Sequence, residues 1–257
     1  NPLSAEIQIP ESFTTITVPQ SGIDFINLPN MLINFKDVSI SYGEKKILNS
    51  INWTVNKGDF WQLSGTNGSG KSTILSMIFG DNPKAYGQNI HLFGSKKGSG
   101  ESVWDIKKKI GYYAPAMTDK FSGRHSIENM LISGLNDSVG LYVKPTAFQQ
   151  RIIKQWLALL DLSDIKNTFF NALSTGKQRL VMTARAMVKQ PPLLILDEPT
   201  AGMDDDSAAL LVALVNKFAE ETDTAIIFVS HRKEKGLKPK QTFYLTPHET
   251  GSTGSIK

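Results

Sequence analysis

The chain has 257 residues, 40% of them apolar and 20% charged, which suffices for one large domain or two small ones with a buried core. Its 28 basic and 24 acidic residues leave a net charge of +4, an excess too mild to argue for nucleic acid or a membrane surface as partner. The absence of Cys excludes disulfides, thiolate metal sites and cysteine nucleophiles, and no apolar run approaches the ~20 residues needed to cross a bilayer. With no basic and apolar leader pattern at its start, the expectation is a soluble, cytoplasmic α/β protein.

No Lys or Arg precedes Lys36, and Pro2, Pro10, Pro19 and Pro29 punctuate the opening segment. Prolines at that density interrupt helices and inner strands, so residues 1–30 read as a linker or extended arm. A first residue Asn1 fits a processed or excised piece of a longer chain. Residues 32–42 alternate apolar and polar side chains and predict a strand, with further strands over 47–55 and 60–63. A helix is expected from Lys71, where Gly70 permits a tight turn and Ile74, Leu75 and Ile78 share a face. Pro145 suits the first turn of a helix whose apolar stripe is Phe148, Ile152, Ile153, Trp156, Leu157 and Leu160. Residues 193–196 and 225–229 are short continuous apolar runs, as in parallel strands covered on both faces. Leu210, Leu211, Leu214, Val215 and Phe218 mark a helix between them. Residues 246–257 are small and polar and are expected to form a flexible tail.

The segment Gly65-Thr66-Asn67-Gly68-Ser69-Gly70-Lys71-Ser72-Thr73 matches the phosphate-binding loop pattern in full, between a predicted strand and a predicted helix. Its glycines let backbone N–H groups turn inward, the helix N-terminus adds partial positive charge, Lys71 reaches the β- and γ-phosphates, and the Ser72 hydroxyl suits Mg²⁺. A Gly/Ser-rich surface turn would not require the strand before it and the helix after it. Residues 193–199 (Leu-Leu-Ile-Leu-Asp-Glu-Pro) form an apolar strand ending in two acids. Asp197 suits a metal, directly or through a water, and Glu198 suits a general base, because successive side chains point in different directions.

Leu173-Ser174-Thr175-Gly176-Lys177-Gln178-Arg179 alone is a polar loop entering a helix. Placed between the two motifs above, it resembles the signature of the ATP-binding cassette (ABC) ATPases, the engine class of ABC transporters. Asp204 and His231 correspond to that family's D-loop and switch histidine, and Tyr42 to its adenine-stacking aromatic. The resemblance spans residues 31–245. It implies an α/β P-loop NTPase core with a mixed sheet, an antiparallel β subdomain and an inserted α-helical subdomain at about 116–175. It also implies that ATP lies on Gly65–Thr73, with Mg²⁺ at Ser72 and Asp197, Glu198 polarising water and His231 at the γ-phosphate. Ser174, Thr175, Gly176 and Asp204 then belong to a head-to-tail sandwich, the signature closing over ATP on a second cassette.

Two features depart from the family. No Gln occurs between Gln88 and Gln149, where the family has a glutamine after a strand like residues 109–113, and Thr175 and Lys177 replace Gly and Gln of the signature. Residues 92–94, 98–101, 104–108, 110–112, 132–134 and 137–142 are similar to the ModF-type (photorepair-like) ATPases associated with molybdate uptake, many of which carry two cassettes in one chain. The chain resembles the second of these, with residues 1–30 as the inter-cassette linker, and Trp104 is read as an ordinary packing residue. The resemblance implies ATP hydrolysis that energises a separate membrane permease, with molybdate as candidate cargo, and a cytoplasmic location peripheral to the inner face of the membrane. The alternatives are a soluble cassette acting on nucleic acid or the ribosome, and a regulatory cassette with slow turnover. Clusters such as Lys107-Lys108-Lys109 read as solvated surface rather than a nucleic-acid site.

Overall fold

The computed structural model describes residues 9–121, 124–138, 140–141 and 143–257. After a four-residue helix α1 (Ser12–Thr15), strands β1 (Met31–Tyr42) and β2 (Lys45–Asn56) form an antiparallel hairpin, and β3 (Phe60–Gly65) leads into helix α2 (Lys71–Ile78). Strands β4 (Ile90–Leu92) and β5 (Ser95–Lys96), helix α3 (Val103–Lys107) and strand β6 (Ile110–Tyr113) follow. Helices α4 (Ile127–Leu135), α5 (Ala147–Leu159) and α6 (Thr175–Met187) precede β7 (Leu193–Asp197), α7 (Asp205–Glu221), β8 (Ala225–Ser230), β9 (Gln241–Thr246) and β10 (Thr253–Ile256).

Two sheets result. The antiparallel one has order β2-β1-β4-β5, and the mixed one β10-β9-β3-β8-β7-β6, in which only β10 runs antiparallel to its neighbour. This is the α/β fold class that the motifs implied. The central strands are apolar on both faces because both are covered. Leu194, Leu196, Ile226 and Phe228 join α4–α7 in one core, while Leu193, Ile195, Ile227 and Val229 join α2 and the antiparallel sheet in another. Each such side chain contributes about 1.5–3 kcal/mol relative to exposure.

Helix α6 is buried from Leu180 to Met187, Arg185 included. Its guanidinium donates to Ser133 Oγ (2.9 Å) and to the Ser138 carbonyl (2.5 Å), and it lies 5.1 Å from the Phe121 ring. Burial pushes its pKa down to about 10, with Asp137 opposing. This group ties the helical layer to the core through α6.

Expectations change at three side chains. Pro145 precedes the helix instead of opening it, because Thr146 caps α5 through a reciprocal box with Gln149. Phe148 leaves the apolar stripe, is 45% exposed, and meets Gly22 of the arm. Trp104, expected to pack, is 74% exposed, and Ile106 fills the core beneath α3 instead. Residues 1–8, Val139 and Tyr142, which entered the sequence reading, lie outside the described residues.

The described part of the arm is docked along the helical layer. Phe13 and Val18 are buried, Ser12 Oγ donates to the Leu159 carbonyl (2.8 Å), and Val18 N–H donates to Glu221 (2.7 Å). Ser21 N–H donates to Gln190 (2.9 Å). The C-terminal segment, expected to be a flexible tail, forms β10 on the edge of β9 from Thr253↔Thr246 to Ile256↔Phe243. Gly254 makes this possible. A Cβ there would lie 2.2 Å from Cζ of Phe243, whose ring stacks on Trp53 at 4.7 Å.

Gly254→Ala is therefore expected to destabilise the protein by about 1–3 kcal/mol, the range for overpacking a tight site. Urea unfolding followed by tryptophan fluorescence measures it, and an unchanged midpoint would contradict the docked strand.

Candidate functional site

Parallel pairing sets where the candidate residues meet. Ser64 of β3 pairs with Ser230 of β8, Val229 with Asp197 of β7, and Leu196 with Tyr113 of β6. The four strands thus end together, and the segments after them (Gly65–Thr73, Glu198–Asp204, His231 and Ala114) leave from one edge of the sheet. Such an edge, outside the carboxyl ends of parallel strands, is where open α/β sheets bind ligands.

The first segment curls into helix α2. Gly70 has φ +96°, and a Cβ there would meet Leu48 at 2.6 Å, so both conformation and space demand glycine. No side chain caps α2, which leaves its N-terminal N–H groups facing the loop. Lys71 is buried, and its Nζ donates to the carbonyls of Gly65 (2.7 Å) and Thr66 (3.1 Å). Burial lowers its pKa, while Glu198 and Asp197 raise it. Thr66, Asn67, Gly68 and Ser72 are exposed, and Thr73 is half-buried. Ser69 is fully buried, with its Oγ unpaired against Gly65.

Two acids face this lysine. Asp197 is half-buried, and its pKa is raised by burial and by the neighbouring Glu198, against the Tyr112 hydroxyl and Lys71. Tyr112 donates to Asp197 Oδ2 at 3.5 Å, and burial together with that carboxylate pushes its own pKa up to about 12. Glu198 adopts φ +49°, a left-handed conformation unusual for a side chain of its size, while its N–H still donates to Val229 (2.9 Å). That turn directs the carboxylate to His231, whose Nδ1 lies 3.2 Å from Oε1. Glu234, which is buried, accepts from Ser230 Oγ (2.9 Å) and Arg232 Nε (3.1 Å) and braces the histidine's turn on both sides.

Tyr42 is 47% exposed, and its hydroxyl accepts from Asn82 Nδ2 (2.9 Å), which also donates to Ser76 of α2 (3.0 Å). The aromatic ring is thus tethered beside the loop helix. Ser174 and Gly176 turn to other partners, and Thr175 is exposed. Ser174 caps α6 by accepting from Lys177 N–H, and a Cβ on Gly176 would lie 2.2 Å from Ser207 Oγ. Asp204 caps α7, and the Ser207 N–H that it accepts (2.8 Å) lowers its pKa. The structure brings Lys71, Asp197, Glu198 and His231 together, and separately joins the signature segment to Asp204. Tyr112, Asn82 and Glu234 escaped the sequence reading. Tyr112 stood in a stretch read as a strand, but its hydroxyl's partner lies 85 positions away.

The donor set offered to a metal is a hydroxyl (Ser72) and one carboxylate (Asp197), all oxygen, as a hard cation requires. Among the described residues no group of three His, Asp or Glu side chains can enclose a metal ion. One carboxylate beside a phosphate-binding loop is the arrangement suited to Mg²⁺, which shares its coordination with phosphates and water. A dication there would also relieve the repulsion that raises Asp197. The residues present fit the ion.

The family model for ABC transporters matches residues 48–201. The ABC transporter ATP-binding protein ModF of Escherichia coli is 41% identical over 209 residues, which are 81% of this chain and 42% of that protein, so the chain spans less than half of this relative's length. The zinc uptake system ATP-binding protein ZurA of Listeria innocua is 33% identical over 207 residues, 79% of this chain and 77% of that protein. Among solved structures, a dimeric ATP-binding cassette in a post-hydrolysis state with ADP and Pi superposes with a TM-score of 0.68 at 22% identity, covering 88% of this chain and 98% of that one.

The raised pKa of Asp197 carries a stability consequence. The folded state binds its proton more tightly than the unfolded chain, so the carboxylate costs stability above the folded pKa, and the cost vanishes below the unfolded one. Asp197→Asn should therefore raise the thermal midpoint of the nucleotide-free protein at pH 7, and the gain should shrink toward pH 4. Scanning calorimetry across that range tests the sign.

Proposed function

The chain belongs to the ABC transporter family, and from that premise we propose that it binds ATP on Gly65–Thr73, hydrolyses it with Glu198 as base, and does so in a head-to-tail pair of cassettes. The observation that carries this reading is the shared strand edge, which sets Lys71, the Asp197–Glu198 pair and His231 around one space. Lys71 Nζ lies on the carbonyls of Gly65 and Thr66, within its own loop, from where it serves the β- and γ-phosphates. The N–H groups at the start of α2 bind phosphate oxygens, and the tethered Tyr42 ring offers its face to the adenine. Ser72 and Asp197 would hold Mg²⁺, which, when bound, neutralises charge on the phosphates. Glu198 orients the attacking water and accepts its proton. His231, 3.2 Å from that carboxylate, holds the base in place and donates toward the terminal phosphate.

Ser174 and Gly176 serve the second site. Gly176 lies against Ser207 of α7 and the Asp204 turn, Ser174 caps α6, and the exposed N-terminal end of α6 is left for a nucleotide on another cassette. The dimeric state of the structural neighbour supports this arrangement. The second cassette is either another copy or a companion domain within a longer protein, and the ModF relative is more than twice the matched length.

The finer reading is that this engine drives a membrane transporter with molybdate or a related oxyanion as cargo, by its likeness to ModF-type cassettes. In this reading a separate permease supplies the pathway; no helix among the described residues is long and apolar enough to cross a membrane. The zinc-uptake relative is consistent with cargo being chosen by the permease and not by the cassette.

Glu198→Gln keeps the shape and hydrogen-bonding reach of the side chain but removes the base. Turnover should fall by about 10²–10⁴-fold while ATP affinity persists, and an ATP-dependent dimer should accumulate in size-exclusion chromatography with light scattering. A variant that hydrolyses ATP at the wild-type rate would contradict the assignment.

A further inference from the structure

Helix α6 and the loop after Glu198 touch at one charged side chain that the proposed mechanism does not use. Arg179, one turn into α6, directs Nη1 at the carbonyl of Ala201 in a short contact and at that of Pro199 at 3.5 Å. Among the described residues no carboxylate pairs with it, so the guanidinium is spent on main-chain acceptors. Those acceptors belong to a tight structure: Ala201 N–H donates to Glu198 (3.1 Å), and Met203 N–H donates to Thr200 (3.1 Å). The strained left-handed residue at the head of this loop is Glu198. Such a conformation persists only where its surroundings over-determine it. The Val229 carbonyl fixes the loop on the strand side, and Arg179 fixes it on the helix side. Both carbonyls are met by the one nitrogen Nη1, which the rigid guanidinium plane holds in place where the flexible ammonium of a lysine would hold it only in part.

We propose that Arg179 is a positioning residue for Glu198, carrying the placement of the signature helix to the base of the same chain. This rests on Glu198 acting as proposed above. The contact also explains how the two ends of one cassette are linked. A shift of α6 on engaging the second cassette's nucleotide moves Pro199–Ala201 and hence the carboxylate, and the close approach of Gly176 to Ser207 ties the same helix end to α7.

The test is ATP turnover of the full chain carrying Arg179→Ala or Arg179→Lys, each alone and combined with Glu198→Gln, with light scattering on the combined variants. Arg179→Ala should lower kcat about 10-fold or more with KM within about twofold, and Arg179→Lys should recover only part of the loss. In the Glu198→Gln background Arg179→Ala should cost nothing further, because it acts through the missing carboxylate. The ATP-dependent dimer should persist in the double variant. An equal fold-loss in both backgrounds, an unchanged kcat in the wild-type background, or loss of the dimer would overturn the proposal. A Glu198→Gln chain as active as wild type would overturn the function on which it rests, and this outcome is distinct from the other three.

Discussion

The hydrogen-bonded parallel register of β3, β8, β7 and β6 is the constraint on which the site depends. Residues that lie 65, 112, 197 and 231 positions along the chain become neighbours because their strands start and end in step. A slip of one residue in β7 would turn Asp197 to the opposite face and exchange the two hydrophobic sets of that strand between cores. The cores therefore enforce the site. Leu193 and Ile195 fit one layer, Leu194 and Leu196 the other, and both acids follow from that choice.

Electrostatics then works within this frame. Burial disfavours the charges of Asp197 and Lys71, so Asp197 is raised and Lys71 is lowered. Within the site the lysine turns onto its own loop and Asp197 accepts from a tyrosine hydroxyl. Under the proposed function a phosphate would meet the lysine and a cation would meet Asp197, each group facing an opposite charge. The strained backbone at Glu198 belongs to the same economy, since the turn that costs free energy is the one that aims the carboxylate at His231.

The sequence made the local devices legible and left the long-range ones hidden. Gly65–Thr73 and the apolar strand ending at Asp197 are contiguous patterns, and the structure has the expected strand and helix around the loop and the expected strand before the acids. Phe13 and Val18 gave no comparable signal, since their partners on α5 and α7 lie more than a hundred positions away and the prolines around them spoke for an unattached arm. Residues 253–256 looked like a frayed end because main-chain pairing leaves no trace in composition, and the one informative residue, Gly254, is small for a reason that only Phe243 explains. Phe148 fitted helical periodicity but packs on the arm, as periodicity reports a face and not what covers it. Arg179 was visible in the signature, yet its targets are carbonyls, which every sequence possesses.

The central claim is that loop and signature work on the same nucleotide only when they come from different cassettes. Mixing two inactive chains tests it most directly: Lys71→Ala, which lacks the loop lysine, and Ser174→Arg, which blocks the signature. Each alone should be nearly inactive, and ATP turnover should return on mixing, because a mixed pair contains one site built from an intact loop and an intact signature. A mixture as inactive as its components, at concentrations where the wild-type chain turns over, would contradict the account.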